Sequence, residues 1–546
     1  MLYDWRGEPR KSSRLWRKVE AASCWLTRKA RIRQRDKDGC HPGGTYAEIV
    51  AMNRRQFVYL TTLGSAALAA FPALHADEEP PVPVRLSVRP DRLGNIISDS
   101  FMGLSYESAQ LGDPGFFSGA NTELAGFMKR LGPSGVLRIG GNTSEYCYWT
   151  SEMESEAKSG GALQKPAGPV GPDTGLKAPP SVKIGPAAIR NLRDFLDETG
   201  WSLIYGLNMG TGTAKDAVDE ADYVMDVVGA KLIAFQLCNE PDLFYRNGIR
   251  KANYDFAKFA GEWQEFFQAI RARVLNAPFA GPDTAFNNEW LVPFVKRFKN
   301  DIQFVSHHYY AEGPPTDPSM TVERLMKPNP KLEAEFAGMR SVRAESGVPF
   351  RLAETNSCYS GGKQGVSETF ASALWGGDLM YELAAQGGVG INFHGGGYGW
   401  YTPIAGTRAN GFVARPIYYG LLLFAQAGAG QLVEATFEGA QQAPLLTAYA
   451  VKKDTKTLQV AVFNKNLDRA VRMSMDAGGR IESASARRLI APRADDATDV
   501  TFGAAPVGTS GAWSAAREER LALQDGKTSI ALPVASAVLI TLTTGG

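Results

Sequence analysis

Two glutamates in this chain close short apolar runs. In Ala234-Phe-Gln-Leu-Cys-Asn-Glu-Pro-Asp242 the run ends at Asn239 and Glu240 before Pro241; in Phe350-Arg-Leu-Ala-Glu-Thr-Asn356 it ends at Glu354, 114 residues after the first. Proline cannot donate to a sheet ladder, so Pro241 turns the chain out of a strand and leaves Glu240 at its end. A carboxyl that is partly desolvated there has a raised pKa, which suits a general acid near neutral pH. The plainer role for Glu240 is an ion pair with a rim arginine. As a pair they admit a specific chemistry, in which one carboxyl protonates a glycosidic oxygen while the other attacks the sugar carbon.

That chemistry requires both carboxyls in one bowl. Strands are predicted over 100–106, 135–139, 202–208, 232–237, 280–286, 302–308, 350–354 and 389–394, with amphipathic helical patterns between them such as 217–228, 254–274 and 369–385. Eight β–α alternations fit an α/β fold of the closed kind, a (β/α)8 TIM barrel over 100–430, better than an open doubly wound sheet. Active groups of such barrels gather at the C-terminal strand ends, and Glu240 and Glu354 end the fourth and seventh strands. Residues 153–186, rich in Gly, Pro, Ser and Lys, read as a long loop on that face, either shaping a cleft or without a role. Beyond 430 the helical patterns stop. Alternating runs at 446–451, 458–463 and 537–542 predict a C-terminal antiparallel β-sandwich over 431–546, joined by a strand near 84–88 in the linker 77–99.

The N-terminal part stands apart. Met52-Asn-Arg-Arg-Gln-Phe-Val58 opens an apolar run to Leu74 with Ala76 as a cleavage position, the order of a twin-arginine export signal over 52–76. A periplasmic or secreted protein is expected, with no membrane span in its mature form, because the run is short and carries Thr, Ser and Gly. Residues 1–51 read as an extension or a mis-assigned start. Residues 77–546 carry 45 Lys+Arg against 51 Asp+Glu, a balance that gives no reason to expect a nucleic-acid partner. Three cysteines (Cys147, Cys238, Cys358) make no disulfide framework, though two of them pairing is left open, as is the oligomeric state. Of the three histidines there, His307 and His308 are consecutive in a strand and face opposite ways, so no metal site is expected, and no cofactor.

The strand-four Asn-Glu and strand-seven Glu resemble clan A of the glycoside hydrolases. More narrowly, Leu137-Arg-Ile-Gly-Gly-Asn-Thr143, Asn239-Glu-Pro-Asp242, His307-His-Tyr-Tyr310 and Glu354-Thr-Asn-Ser-Cys-Tyr-Ser-Gly-Gly362 resemble family 79, the bacterial β-glucuronidase and heparanase-like family, from about residue 84 onward. The resemblance implies a retaining mechanism with Glu354 as nucleophile and Glu240 as acid/base. It implies that Asn239 and Glu107 meet sugar hydroxyls, that Tyr310 holds the nucleophile, and that Tyr359, Ser360 and Gly361 bind a uronic-acid carboxylate. Arg138, Asn142 and His308 are supporting candidates. One departure concerns a lysine that some bacterial members supply after the eighth strand, since no lysine lies between Lys363 and Lys452. His394 is the expected substitute, with Arg408 and Arg415 in reserve; without such a cation a neutral pyranoside would be accepted. Trp149, Trp400 and Tyr401 are candidates for stacking on sugar or for core packing. The expected partner is a glucuronide or a glucuronic-acid glycan, cleaved from its end. The alternatives are an endo-acting heparanase-like or hyaluronan-type hydrolase, a neutral-sugar hydrolase of the clan, and an inactive barrel that only binds carbohydrate.

Overall fold

The computed structural model describes residues 79–151 and 181–545. The export-signal reading, the 1–51 extension and most of the 153–186 loop lie outside the described residues. A long strand β1 (Val82–Ile97) precedes the barrel. Eight parallel strands then close on themselves: β2 (Met102–Glu107), β3 (Val136–Gly140), β4 (Ser202–Gly206), β5 (Leu232–Gln236), β6 (Phe279–Thr284), β7 (Phe304–Glu312), β8 (Phe350–Cys358) and β9 (Gly390–Gly395). Each lies on one of the eight runs expected from the sequence.

The returning helices are set by local chemistry. Pro186 opens the helix Pro186–Thr199, where its missing N–H costs nothing, and Gly200 closes it at φ 80°. Thr213 accepts the Asp216 N–H to start Ala214–Val228. Strands β7 and β8 are buried over all nine residues each, as parallel strands covered on both faces must be. Inside the barrel Val136, Ile204, Ala234, Ala280 and Phe304 form the apolar floor. The period of two then carries polar side chains up the inner wall: Arg138 follows Val136, Gln236 follows Ala234, and Ser306, His308 and Tyr310 follow Phe304. His307 faces outward, its Nε2 3.0 Å from Glu335 on the helix Pro330–Ser346.

The strands from Gly430 onward do not show the expected sandwich as two separate layers. With β1 they are hydrogen-bonded in one eleven-stranded sheet. The reason lies in β1, which pairs antiparallel with Gly430–Glu438 on one edge and parallel with Val471–Asp476 on the other, so it joins what would have been two layers. Register shifts at Leu93 irregularise its far end. The sheet curls around a second core that includes Leu86, Val88, Val460, Met473 and Ile540. Near the 153–186 loop, Val182–Ile184 forms a short strand where no periodicity was evident, paired parallel with Cys147–Trp149. Cys147, Cys238 and Cys358 are free thiols. Among the described residues no helix is long and apolar enough to cross a membrane.

One buried carboxylate fastens the barrel to the sheet. Asp378, on the helix Phe370–Ala385, accepts from Thr447 Oγ1 at 2.6 Å and Tyr449 Oη at 2.9 Å, and pairs with Lys465. Truncation would leave the Lys465 ammonium with no carboxylate in a largely buried place. Asp378→Ala should therefore lower unfolding free energy by about 3 kcal/mol, read as a lower denaturant midpoint; an unmoved midpoint would show that this contact does not secure the sheet.

Candidate active site

The inner polar wall converges on Arg138, which has no solvent access. Its Nε donates to Gln236 Oε1 at 2.8 Å. Nη1 donates to Ser105 Oγ at 3.2 Å and Glu354 Oε2 at 2.5 Å, and Nη2 to Asn239 Oδ1 at 2.9 Å and Asp283 Oδ2 at 2.7 Å. A guanidinium has five N–H donors, and here each has an acceptor. The acceptors come from four strands of the barrel and their ends, so Arg138 sets Glu354 and Asn239 in common geometry.

Glu354 and Glu240 meet over this base. Tyr310 Oη donates to Glu354 Oε1 at 2.7 Å, while His394 Nδ1 lies 3.5 Å from Oε2. Burial alone would raise the Glu354 pKa. The positive charges of His394, His308 and Arg138, with the tyrosine hydrogen bond, outweigh burial and hold it far below the ordinary carboxylate range. Glu240 is biased the opposite way, its pKa raised chiefly by burial despite His308. His308 Nδ1 lies 3.0 Å from Glu240 Oε1 and its Nε2 3.2 Å from Asp283 Oδ2, the second an ion-pair contact without hydrogen-bond alignment. Burial opposes the charged imidazole, but Asp283 and Glu354 raise its pKa to about 10, so at neutral pH it is an imidazolium donating to Glu240.

The backbone holds these groups in uncommon conformations. Glu240 (φ 51°) and Asp283 (φ 62°) are both left-handed, a state costing about 1–3 kcal/mol for such residues. They brace each other through the Glu240 N–H donating to the Asp283 carbonyl at 2.9 Å. Asn239 N–H donates to Glu145 Oε1 at 2.6 Å, and burial raises the Glu145 pKa to about 8. Asn239 Nδ2 in turn donates to Asn142 Oδ1 at 3.2 Å.

The other expected residues fall into two groups. Glu107 borders the pair: its Oε2 accepts from Thr143 N and Oγ1, and its Oε1 is 3.4 Å from His394 Nε2. His394 also contacts Ser105 Oγ at 3.0 Å. Both of its ring nitrogens thus already face protein groups, which ties its charge to Glu354 and Glu107 rather than leaving it free for a sugar carboxylate. Tyr359, Ser360 and Gly361 lie farther out, on a half-buried turn after β8. The Tyr359 ring is 6.4 Å from that of Tyr310. Ser360, Gly361 and Gly362 all have φ between 65° and 89°, and among the described residues their N–H groups have no acceptor. Arg408 is committed to Asp113 at 2.8 Å. Arg415 makes no ion pair among the described residues and lies 5.6 Å from the Trp400 ring. Next to that ring, Tyr401 N–H donates to the Gly361 carbonyl at 3.4 Å. The Tyr401 ring is 6.2 Å from Tyr310, so Tyr401 belongs to the site wall, whereas Trp149 packs on Tyr223 at 5.0 Å.

Asp283, Gln236 and Glu145 were not singled out from the sequence. A polar residue on the inner face of an apolar strand was the available signal for Gln236, and an unbalanced Arg138 was the signal for Asp283. Donor atoms of Glu240, His308 and Glu354 lie within 4.8 Å of one another, a spacing open to a metal ion. The donor set does not fit one: Tyr310 Oη and Arg138 Nη1 already donate to the two Glu354 oxygens, and an added cation would meet the Arg138 charge beside them.

Residues 187–380 match the model for Glycosyl hydrolase family 79, N-terminal domain. A Beta-glucuronidase of Neurospora crassa is 24% identical over 437 residues, spanning 70% of this chain and 74% of that protein. A Beta-glucuronidase of Aspergillus niger is 25% identical over 443 residues, spanning 74% and 78%. These curated relatives are fungal. A 4-O-alpha-L-rhamnosyl-beta-D-glucuronidase from Fusarium oxysporum, solved as its Rha-GlcA complex, shares the fold at TM-score 0.68 and 18% identity over 84% of this chain and all of that one.

The tyrosine contact has a direct test. Removing a hydrogen bond that favours the charged form raises the pKa of its carboxylate. Tyr310→Phe should move the acid limb of kcat/KM to higher pH and lower kcat by roughly 10- to 100-fold, the scale of a hydrogen bond to a charged group. A pH profile that stays in place would show that Tyr310 does not tune Glu354.

Proposed function

We propose that this chain, a glycoside hydrolase, is a retaining exo-β-glucuronidase of family 79 with Glu354 as nucleophile and Glu240 as general acid/base. The observation that carries this reading is a carboxyl pair with donor oxygens within 4.8 Å and opposite protonation biases. Retaining enzymes hold their carboxyls about 5–5.5 Å apart, whereas inverting ones need roughly 6.5–9.5 Å to seat a water.

In the first step Glu354 attacks the anomeric carbon as Glu240 gives its proton to the departing oxygen. In the second, Glu240 takes a proton from the incoming water, which displaces Glu354 and releases the β-configured sugar. The imidazolium of His308 stabilises the Glu240 carboxylate that exists between the steps, while burial restores its affinity for a proton. Asn239 meets the 2-hydroxyl, a contact that strengthens as the sugar becomes oxocarbenium-like. Glu107, placed beside His394, takes further hydroxyls, and Asn142 holds the Asn239 amide.

The uronic-acid preference is supported by the names of the curated relatives and by the 359–362 turn. Unpaired amides in a left-handed turn bind an anion without a full charge. Arg415, reached through Trp400 and Tyr401, supplies the nearby cation in place of His394. Exo action is supported by the composition of residues 153–186, a near-neutral, Gly- and Pro-rich stretch without the basic lining expected for a sulfated polysaccharide. The twin-arginine segment supports an exported enzyme.

Purified protein should hydrolyse an aryl β-glucuronide, and Glu354→Ala should abolish that turnover. Azide should restore it with an α-glucuronosyl azide as product; an unaffected Glu354→Ala enzyme would refute the nucleophile, and preference for the aryl glucoside or xyloside would refute the uronic-acid reading. Arg415→Ala should raise KM for the glucuronide about 10-fold, within the range of one charge-assisted contact, with a smaller change in kcat. An unchanged KM would remove Arg415 from the carboxylate site.

A further inference from the structure

The acid/base strand and its neighbour hold a second feature, tied together by one carboxylate. Asp242, two residues past Glu240, accepts three consecutive backbone N–H groups: Ala285 at 2.9 Å on Oδ1, then Phe286 at 3.1 Å and Asn287 at 3.2 Å on Oδ2. One carboxylate thus fixes the turn that leaves β6, and Asn287 caps the next turn through the Glu289 N–H at 3.0 Å. What this braced turn presents is an apolar ring in water. Ala285 is buried, whereas Phe286 is 48% exposed.

A lone exposed phenylalanine would mean little. This one continues a wall. Its ring lies 6.0 Å from Tyr359, whose own ring is 6.4 Å from Tyr310, the residue bonded to Glu354. On the loop after β5, the Arg246 guanidinium lies 5.6 Å from the half-exposed ring of Tyr245. The wall therefore runs outward from Tyr310 through Tyr359, on the turn after β8, to Phe286, on the turn after β6 that Asp242 holds. Strand β5 leads to Glu240, which protonates the departing oxygen.

We propose that Phe286 is the stacking platform for the leaving-group ring, and that Asp242 is its positioning residue. The inference rests on Glu240 being the acid/base. The occupant is a ring with a flat face, aromatic in an aryl glucuronide or the C–H face of the next sugar in a glycan. A ring presented on a rigid turn stacks without losing side-chain freedom at the moment of binding. The carboxylate that orders the turn belongs to the same Glu-Pro-Asp segment as the acid, so the acid and the platform keep a fixed spacing.

The test compares kcat/KM for three substrates: an aryl β-glucuronide, a disaccharide with terminal β-glucuronic acid, and β-glucuronosyl fluoride, which has no leaving-group ring. Phe286→Ala should lower the ratio of ring-bearing substrate to fluoride by about 3- to 10-fold, the scale of one aromatic stacking contact. Phe286→Tyr should restore that ratio, and Asp242→Asn should lower it in the same direction. A loss on the aryl substrate alone identifies an aromatic occupant, and a loss on the disaccharide as well identifies a sugar face. An equal loss on the fluoride, or no loss on either ring, overturns the platform. If wild-type enzyme cleaves none of the three, the glucuronidase reading itself falls and takes the platform with it.

Discussion

A guanidinium cut off from solvent must find every one of its acceptors inside the fold, and the site depends on how Arg138 does so. Its five N–H groups reach Ser105, Gln236, Asn239, Asp283 and Glu354. Desolvating such a charge costs several kcal/mol, which is recovered only if the partners are held in good geometry. The barrel meets that condition by closure, since parallel strands around one axis bring side chains distant in sequence to a common centre. The same bonds that satisfy the arginine hold Glu354 and Asn239 in one geometry. Stability and positioning are thus the same set of contacts.

Electrostatics then divides the two glutamates. Arg138, His308 and His394 face Glu354, which stays ionised although it is buried. Glu240 has His308 beside it and burial against its charge, and its proton is held more tightly. Asp283 completes the arrangement by pairing with both Arg138 and His308, and is itself kept ionised by them against burial. Two chemically identical side chains thereby acquire opposite protonation biases, the division that the proposed mechanism uses.

Much of this was legible in the sequence because the signals are local. An apolar run ending in Asn-Glu-Pro announces a strand end, and eight apolar runs separated by amphipathic helical patterns announce a closed barrel. The consecutive His307 and His308 had to face opposite ways, and in the structure one meets Glu335 and the other Glu240. What was not legible depends on pairing across the chain. Strand alternation says that 431–546 is β-rich, but not that β1 would bond on both edges and merge the layers. Asp283 passed unnoticed because its importance comes from the cation opposite it. His394 was recognised as a cation near the sugar, yet only the fold shows that its two nitrogens are turned toward Ser105, Glu354 and Glu107.

The central claim is that Glu354, held ionised by the Arg138 network, forms a covalent bond to the sugar. The measurement closest to it is mass spectrometry of peptides after incubation with 2-deoxy-2-fluoro-β-glucuronosyl fluoride, which slows the second step more than the first. The account predicts one fluoroglucuronosyl group per chain, located on the peptide that contains Glu354. A label on another carboxylate, or activity lost without any label, would contradict it.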